Sequence, residues 1–210
     1  MDKKAFYKLS YGLYVVGSRI EETRAGCVVN TLAQVTASPA RMSVAINKDN
    51  YTEQIIERSG LFTAVALTQD TDMDIIGAFG FQSSRDVDKF AQFQTKEDEN
   101  GIPYLVQNAA ARYSCRVRDK IDVGTHILFI GDVLEAEVLS QNEVLTYAYY
   151  QQVKKGGTPK NAPSYQGVDE TAKKRGYRCS VCGYILESDT IPEGFRCPIC
   201  GQGPEMLRKL

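Results

Sequence analysis

The chain has 210 residues, is 43% hydrophobic and carries a formal net charge of −1 at pH 7. That length suits one or two domains with a buried core, and so small a charge gives no field that favours nucleic acid or an anionic membrane. The first twenty residues lack the long apolar core of a signal peptide, and no apolar run is long enough to span a bilayer. A cytoplasmic protein is expected.

From the N-terminus, Gly12–Arg19 (GLYVVGSR) and Ala25–Asn30 (AGCVVN) are short β-rich runs, and the polar Glu21-Glu22-Thr23 between them reads as a hairpin turn. Arg41–Asn47 is a further strand, and Leu61–Leu67 is a continuous apolar run of the kind found in buried strands. In Arg112–Val117 the residues Tyr113, Cys115 and Val117 share one face and Arg112, Ser114 and Arg116 the other. His126–Leu139 is a long strand, with Gly131 marking a bulge or a close approach. Helices are expected at Tyr51–Ser59, Asp72–Phe79 and Asp86–Phe93. Many strands and few, unevenly placed helices predict a mainly β fold, a barrel rather than a doubly wound sheet.

Neither a Gly-x-Gly-x-x-Gly turn nor a Gly-Lys-Ser/Thr loop is present, which argues against a Rossmann or P-loop site. A phosphate must then be held by hydroxyls, amides and a lysine. Two stretches offer them: Gly26 to Pro39, with Asn30, Thr31, Gln34, Thr36 and Ser38, and Asn47-Lys48-Asp49-Asn50-Tyr51-Thr52 at a strand end. Asn50 or Thr52 suits the cap of the helix that follows, whose free N–H groups attract an anion. The plainer reading is a strand, a turn and a capped helix with one exposed lysine.

Four of the six cysteines form two Cys-x-x-Cys pairs, Cys179/Cys182 and Cys197/Cys200, separated by fourteen residues. Each pair is followed by a glycine, Gly183 or Gly201, which lets the chain turn back and aim backbone N–H groups at sulfur. Two facing knuckles make a closed tetrahedral site that fits zinc or a single iron. Cys27 and Cys115 lie in apolar runs and read as buried, inert thiols, as expected in a reducing compartment.

The segment Tyr177 to Leu210, with YRCSVCGY, Cys-Pro-Ile-Cys-Gly and the aromatics Tyr177, Tyr184 and Phe195, resembles rubredoxin in the shortened form found fused to other proteins. That resemblance implies iron on Cys179, Cys182, Cys197 and Cys200. Residues 5 to 165 resemble the flavin reductase-like family, the FMN-binding split β-barrel, in its flavoredoxin-type branch. The matching motifs are Asn30-Thr31, Thr36-Ala37-Ser38-Pro39, Asn47-Lys48 with Asn50 and Thr52, Phe79 to Phe90, and Gly124-Thr125-His126 to Val133. Leu145 to Tyr150 and Lys155 to Tyr165 complete the series. Threonine stands at 125 where relatives have aspartate.

The resemblance implies that Cys27, Val28, Val29, Asn30 and Thr31 line the flavin. It implies that Asn47, Lys48, Asn50 and Thr52 hold the phosphate, with Tyr51 among the cofactor-binding residues. His126, the only histidine, falls near the flavin in relatives, as a candidate for nicotinamide binding or proton traffic or as a satisfied polar group. Arg85 is either a phosphate partner or a solvated charge. Tyr147, Tyr149 and Tyr150 make an aromatic surface for a homodimer contact or for the barrel itself. The expected organisation is a barrel at residues 1–165, a linker at 166–176 in which Lys173-Lys174-Arg175 is a solvated run, and an iron domain at 177–210.

These resemblances imply an electron-transfer flavoprotein. Electrons from NAD(P)H, directly or through an NAD(P)H-dependent reductase, pass through FMN and a four-cysteine iron to an acceptor such as a flavodiiron protein. An NAD(P)H-dependent flavin reductase that releases reduced flavin and a zinc-ribbon binding module are the alternatives.

Overall fold

The structure is a computed structural model that describes residues 2–154, 156–158, 162–163, 176–182 and 184–210. Lys155, Tyr165, Gly183 and the expected linker at 166–175 lie outside the described residues.

The fold is mainly β, a barrel followed by a small cysteine knuckle. Nine strands belong to the first part: β1 (Tyr14–Ile20), β2 (Thr23–Val29), β3 (Ala33–Ala37), β4 (Ala40–Asn47), β5 (Leu61–Leu67), β6 (Thr95–Glu97), β7 (Pro103–Leu105), β8 (Ala109–Asp122) and β9 (His126–Val138). Three helices accompany them: α1 (Tyr51–Ser59), α2 (Met73–Phe81) and α3 (Tyr147–Gln152). Seven strands form one sheet in the order β2-β1-β5-β8-β9-β4-β3, antiparallel at every pairing. Strands β6 and β7 form a separate hairpin over β5, where the Thr63 hydroxyl donates to the Pro103 carbonyl at 2.7 Å.

Alternation along the strands separates two cores. Val15 faces a cluster with Leu13, Leu67, Ile76, Phe79, Phe90 and Tyr150, under α2 and α3. Val16, one residue on, faces the barrel interior with Val44, Ile46, Ile56, Phe62, Cys115 and Phe129. The interior accounts for Gly131. It pairs with Val117 beside the shift in register between Val117 and Asp119, and a Cβ there would lie 3.0 Å from both Phe62 and Cys115. Tyr113 and Val117 pack against this cluster as the alternation predicts. Burial, followed by the Asp132 carboxylate, pushes the Cys115 thiol up to about 12, in keeping with an inert thiol.

Helix α1 starts where its local chemistry says it should. The Asn50 side chain accepts from the Thr52 N–H at 3.0 Å, and Gly60 at φ 69° closes the C-terminus by donating to the Ile56 carbonyl. The aromatic run of α3 packs on its own barrel: Tyr150 is core, and Tyr147 and Tyr149 lie against it.

Two expectations are corrected. Asp86–Phe93 is not a helix; only Phe90–Gln92 makes a single 3-10 turn. Asp88 pairs with Arg24 and accepts from the Phe90 N–H, while the buried Lys89 ammonium reaches the Gly26 carbonyl at 2.9 Å, and these partners hold the segment against β2. Ala33–Ala37, read as part of a phosphate-offering segment, is the edge strand β3. All five of its residues are exposed, so no buried face marks it in sequence.

The second part is a three-stranded sheet in the order β11-β10-β12, built from β10 (Tyr177–Cys179), β11 (Ile185–Leu186) and β12 (Leu207–Lys209). Among the described residues no helix is long and apolar enough to cross a membrane.

Candidate functional site

A cavity of about 380 Å³ opens where four pieces of chain meet. The end of β2 and the turn after it supply Val28, Val29, Asn30 and Thr31. The end of β4 and the start of α1 supply Ala45, Ile46, Asn47, Asp49, Asn50 and Tyr51. Helix α2 and its exit supply Ile76, Phe79, Gly80, Phe81, Gln82 and Ser83. His126 closes one side, and Leu13, Tyr147, Tyr150, Gly157, Ala162, Pro163 and Val181 form an apolar far end.

The polar end is preorganised by short-range bonds. Asn47 Oδ1 accepts from the Asp49 N–H at 2.8 Å and turns the chain into α1, leaving the helix N-terminus directed at the cavity. The Thr31 hydroxyl donates to the Ala45 carbonyl at 2.7 Å and locks the two pocket strands together. His126 pairs with Asn47 across β4 and β9, and its Nδ1 lies 2.8 Å from the Thr125 hydroxyl. That contact fixes the ring, which is 9% exposed. Arg85 lies over the Tyr51 ring at 4.6 Å from its centroid and donates to Gln54 at 2.8 Å, so a guanidinium stands beside the start of α1.

Seven of the expected cofactor residues therefore line the cavity (Val28, Val29, Asn30, Thr31, Asn47, Asn50 and Tyr51), and so does His126. Cys27, Lys48 and Thr52 are not among the lining residues. Cys27 points into the barrel interior, as alternation along β2 requires. Burial pushes its thiol up, opposed by the Lys89 charge and by the nearby polar groups of Thr52 and Asn50. Thr52, in the first turn of α1, is wholly buried. Lys48 lies at the rim, where its ammonium is 2.6 Å from the Asp122 carboxylate. The α2 wall, from Ile76 to Ser83, was not singled out as cofactor-lining; its only advance signal was the family-like stretch beginning at Phe79.

The residues fit a flavin in kind. An apolar, aromatic slot leads to a polar end with three asparagines, a threonine and a helix N-terminus, the donor set that a ring and a phosphate require.

The second centre is compact. The sulfurs of Cys179, Cys182, Cys197 and Cys200 all lie within 4.8 Å of one another and all four residues are buried. Across the knuckles, Cys179 and Cys200 are 3.6 Å apart and Cys182 and Cys197 are 3.4 Å apart, too far for disulfides. A tetrahedron with metal–sulfur bonds of about 2.3 Å has edges of about 3.8 Å, close to these separations. Burial works against the thiolates, while backbone N–H groups favour them: Val181 and Cys182 donate to the Cys179 sulfur, Tyr184 to that of Cys182 and Gln202 to that of Cys200. Gly201 at φ 69° makes the second turn, and its N–H bonds the Cys197 carbonyl at 2.8 Å. Tyr177, Tyr184 and Phe195 pack around the cluster. The donor set fits a four-coordinate thiolate metal.

Comparison with known proteins agrees with both halves. The flavin reductase like domain family matches residues 6–157, and the rubrerythrin, rubredoxin-like domain family matches residues 177–208. The chain is 40% identical to a high molecular weight rubredoxin of Moorella thermoacetica, over 89% of this chain and 83% of that one. It is 43% identical to a ferric-chelate reductase (NAD(P)H) of Archaeoglobus fulgidus, over 79% of this chain and 98% of that one. Among solved structures, an FMN-binding protein from Thermus thermophilus superposes with a TM-score of 0.59 at 25% identity, covering 64% of this chain and 74% of that one. The chain belongs to the flavin reductase-like family and carries a rubredoxin-like domain at its C-terminus.

Proposed function

We propose that this protein is an electron carrier that holds FMN in the cavity and one iron on its four cysteines. The observation that carries the reading is adjacency. Val181 lies next in sequence to the sulfur ligand Cys182 and lines the same cavity as Asn30 and Asn47. The chemistry that a bound flavin supplies is the conversion between two-electron and one-electron transfer, and a four-cysteine iron carries one electron. Placing both in one chain raises the effective concentration of each for the other.

The chain's residues have distinct tasks in this reading. Asn47, Asn50 and the N-terminus of α1 bind the phosphate, with Lys48 and Arg85 adding charge at the rim. Phe79, Phe81 and Tyr147 exclude water from the ring. His126, held by Thr125, faces the site of nicotinamide approach. NAD(P)H as the electron source is supported by the similarity to a reductase whose name specifies it. A flavodiiron protein as acceptor is supported by the resemblance of the whole chain to a flavin domain joined to a rubredoxin. The fully exposed edge strand β3, with Val35 outward, supports a homodimer, and the use of four cysteines in metal-type pairs supports a cytoplasmic location.

The test is composition. Full-length protein passed over a desalting column is expected to retain about one FMN and one iron per chain, with tetrathiolate absorption beside that of flavin. Zinc in place of iron would transfer the reading to a binding module. Flavin lost on the column would transfer it to a flavin-releasing reductase.

A further inference from the structure

We infer that the four-cysteine module is docked on the flavin pocket of its own chain, and that Gly77 and Gly157 are the residues that let it sit there. This rests on the electron-transfer reading and specifies which pocket the metal serves.

Both knuckles approach the barrel through backbone. A Cβ on Gly77 would lie 2.0 Å from the Ile199 carbonyl oxygen, in the second knuckle. A Cβ on Gly157 would lie 2.1 Å from the Cys182 carbonyl oxygen, in the first. Neither distance leaves room for any side chain. Neither glycine has a positive φ, so no turn demands it. Gly77 is in the interior of α2, where glycine is disfavoured relative to alanine and tertiary packing must account for it.

The contact is apolar around these two points. Met73 and Phe81 of α2 pack against the cysteine cluster. Beneath Gly157, the Tyr150 hydroxyl donates to the Gly157 carbonyl at 2.9 Å, and a Cβ on Gly156 would lie 2.0 Å from the Tyr150 ring. The two glycines form a thin strap between a core tyrosine and a metal-ligand backbone, with no side chain interposed. Pro163, the last described residue before the module, lines the same cavity.

The experiment uses the full-length protein loaded with flavin and iron, with Met73 replaced by the photoreactive residue p-benzoylphenylalanine. Met73 touches the module and is not among the cavity-lining residues. Irradiation is expected to cross-link it to peptides from residues 176–210 within a species of monomer mass on a denaturing gel. A covalent dimer joined through those peptides would assign the module to the partner subunit, and adducts confined to the barrel would mean that it does not dock. Either result overturns the proposal.

Adding Gly77→Val is expected to cut the intrachain product about tenfold, with iron content and absorption unchanged. An undiminished product would remove Gly77 from the seat. No electron donor is present, so the cross-link reads docking alone. Failure of the redox reading shows differently, as iron that stays oxidised beside fully reduced flavin in a chain that still cross-links within itself.

Discussion

The Lys48 ammonium lies 2.6 Å from the Asp122 carboxylate, across 74 residues of sequence. The lysine offered for phosphate is therefore already paired, and it stands between the cavity-lining residues Asn47 and Asp49, half-buried, while Asp122 is exposed. The Asp122 carboxyl is held below its ordinary range by that lysine and then by the Gly124 N–H. A phosphate in the cavity competes with Asp122 for the same charge. Lys48→Ala is expected to weaken FMN binding about tenfold, and Asp122→Asn to strengthen it. Fluorescence titration of flavin-depleted protein measures both. Equal affinity in all three proteins would remove Lys48 from the phosphate site.

Cys179→Ser is expected to abolish iron binding and leave flavin in place, because the cysteine cluster and the barrel interior are separate cores. Metal analysis and the flavin spectrum of one preparation decide this. Loss of flavin with the iron would mean that the barrel's share of the cavity does not hold flavin without the intact knuckle that supplies Val181.

Much of this architecture is local and was legible in sequence for that reason. The cysteine spacing fixes both knuckles within a few residues, and the cap of α1 is an interaction between Asn50 and Thr52. Leu61–Leu67 and Tyr51–Ser59 appear at the bounds their patterns predict. What was not legible is long-range. The pairing of Lys48 with Asp122 spans 74 residues and is invisible from either neighbourhood. Cys27 was placed on the flavin although alternation turns it inward, away from Val28. Strand β3 has no buried residue to betray it, and the segment around Lys89 owes its conformation to Arg24 and Gly26.

Lys89 gives a pH prediction. It is 2% exposed, and burial brings its pKa from 10.5 down to about 8, with Cys27 opposing the shift. The folded state releases this proton more readily than the unfolded state, so stability rises with pH wherever the unfolded chain binds more protons. The penalty of the buried charge is present in full below pH 8 and is relieved as pH rises from about 8 towards 10.5. Its full size is about 3 kcal/mol. Denaturant melts at pH 7 and pH 9.5 are expected to show wild type gaining stability relative to Lys89→Met across that interval, a difference that includes the coupling of Lys89 to Cys27. Parallel behaviour of the two proteins would mean that Lys89 keeps an ordinary pKa.

Gly17 of β1 is a purely structural test. A Cβ there would lie 2.5 Å from the Pro103 carbonyl oxygen and 2.8 Å from the Phe90 ring. Gly17→Ala is expected to cost about 1–3 kcal/mol by overpacking. Equilibrium unfolding measures it, and an unchanged midpoint would show that the β6–β7 hairpin packs less closely on β1.

The most direct test of electron transfer is to add NADH, and separately NADPH, to the full-length protein without air and follow the iron and flavin absorption together. The expected result is bleaching of both centres, with iron reduction lost when the flavin has been stripped and restored when FMN is returned. If a catalytic amount of an NAD(P)H-dependent reductase is needed, the same flavin dependence is expected. Iron that is reduced equally well in flavin-free protein, or that stays oxidised beside fully reduced flavin, would contradict the account.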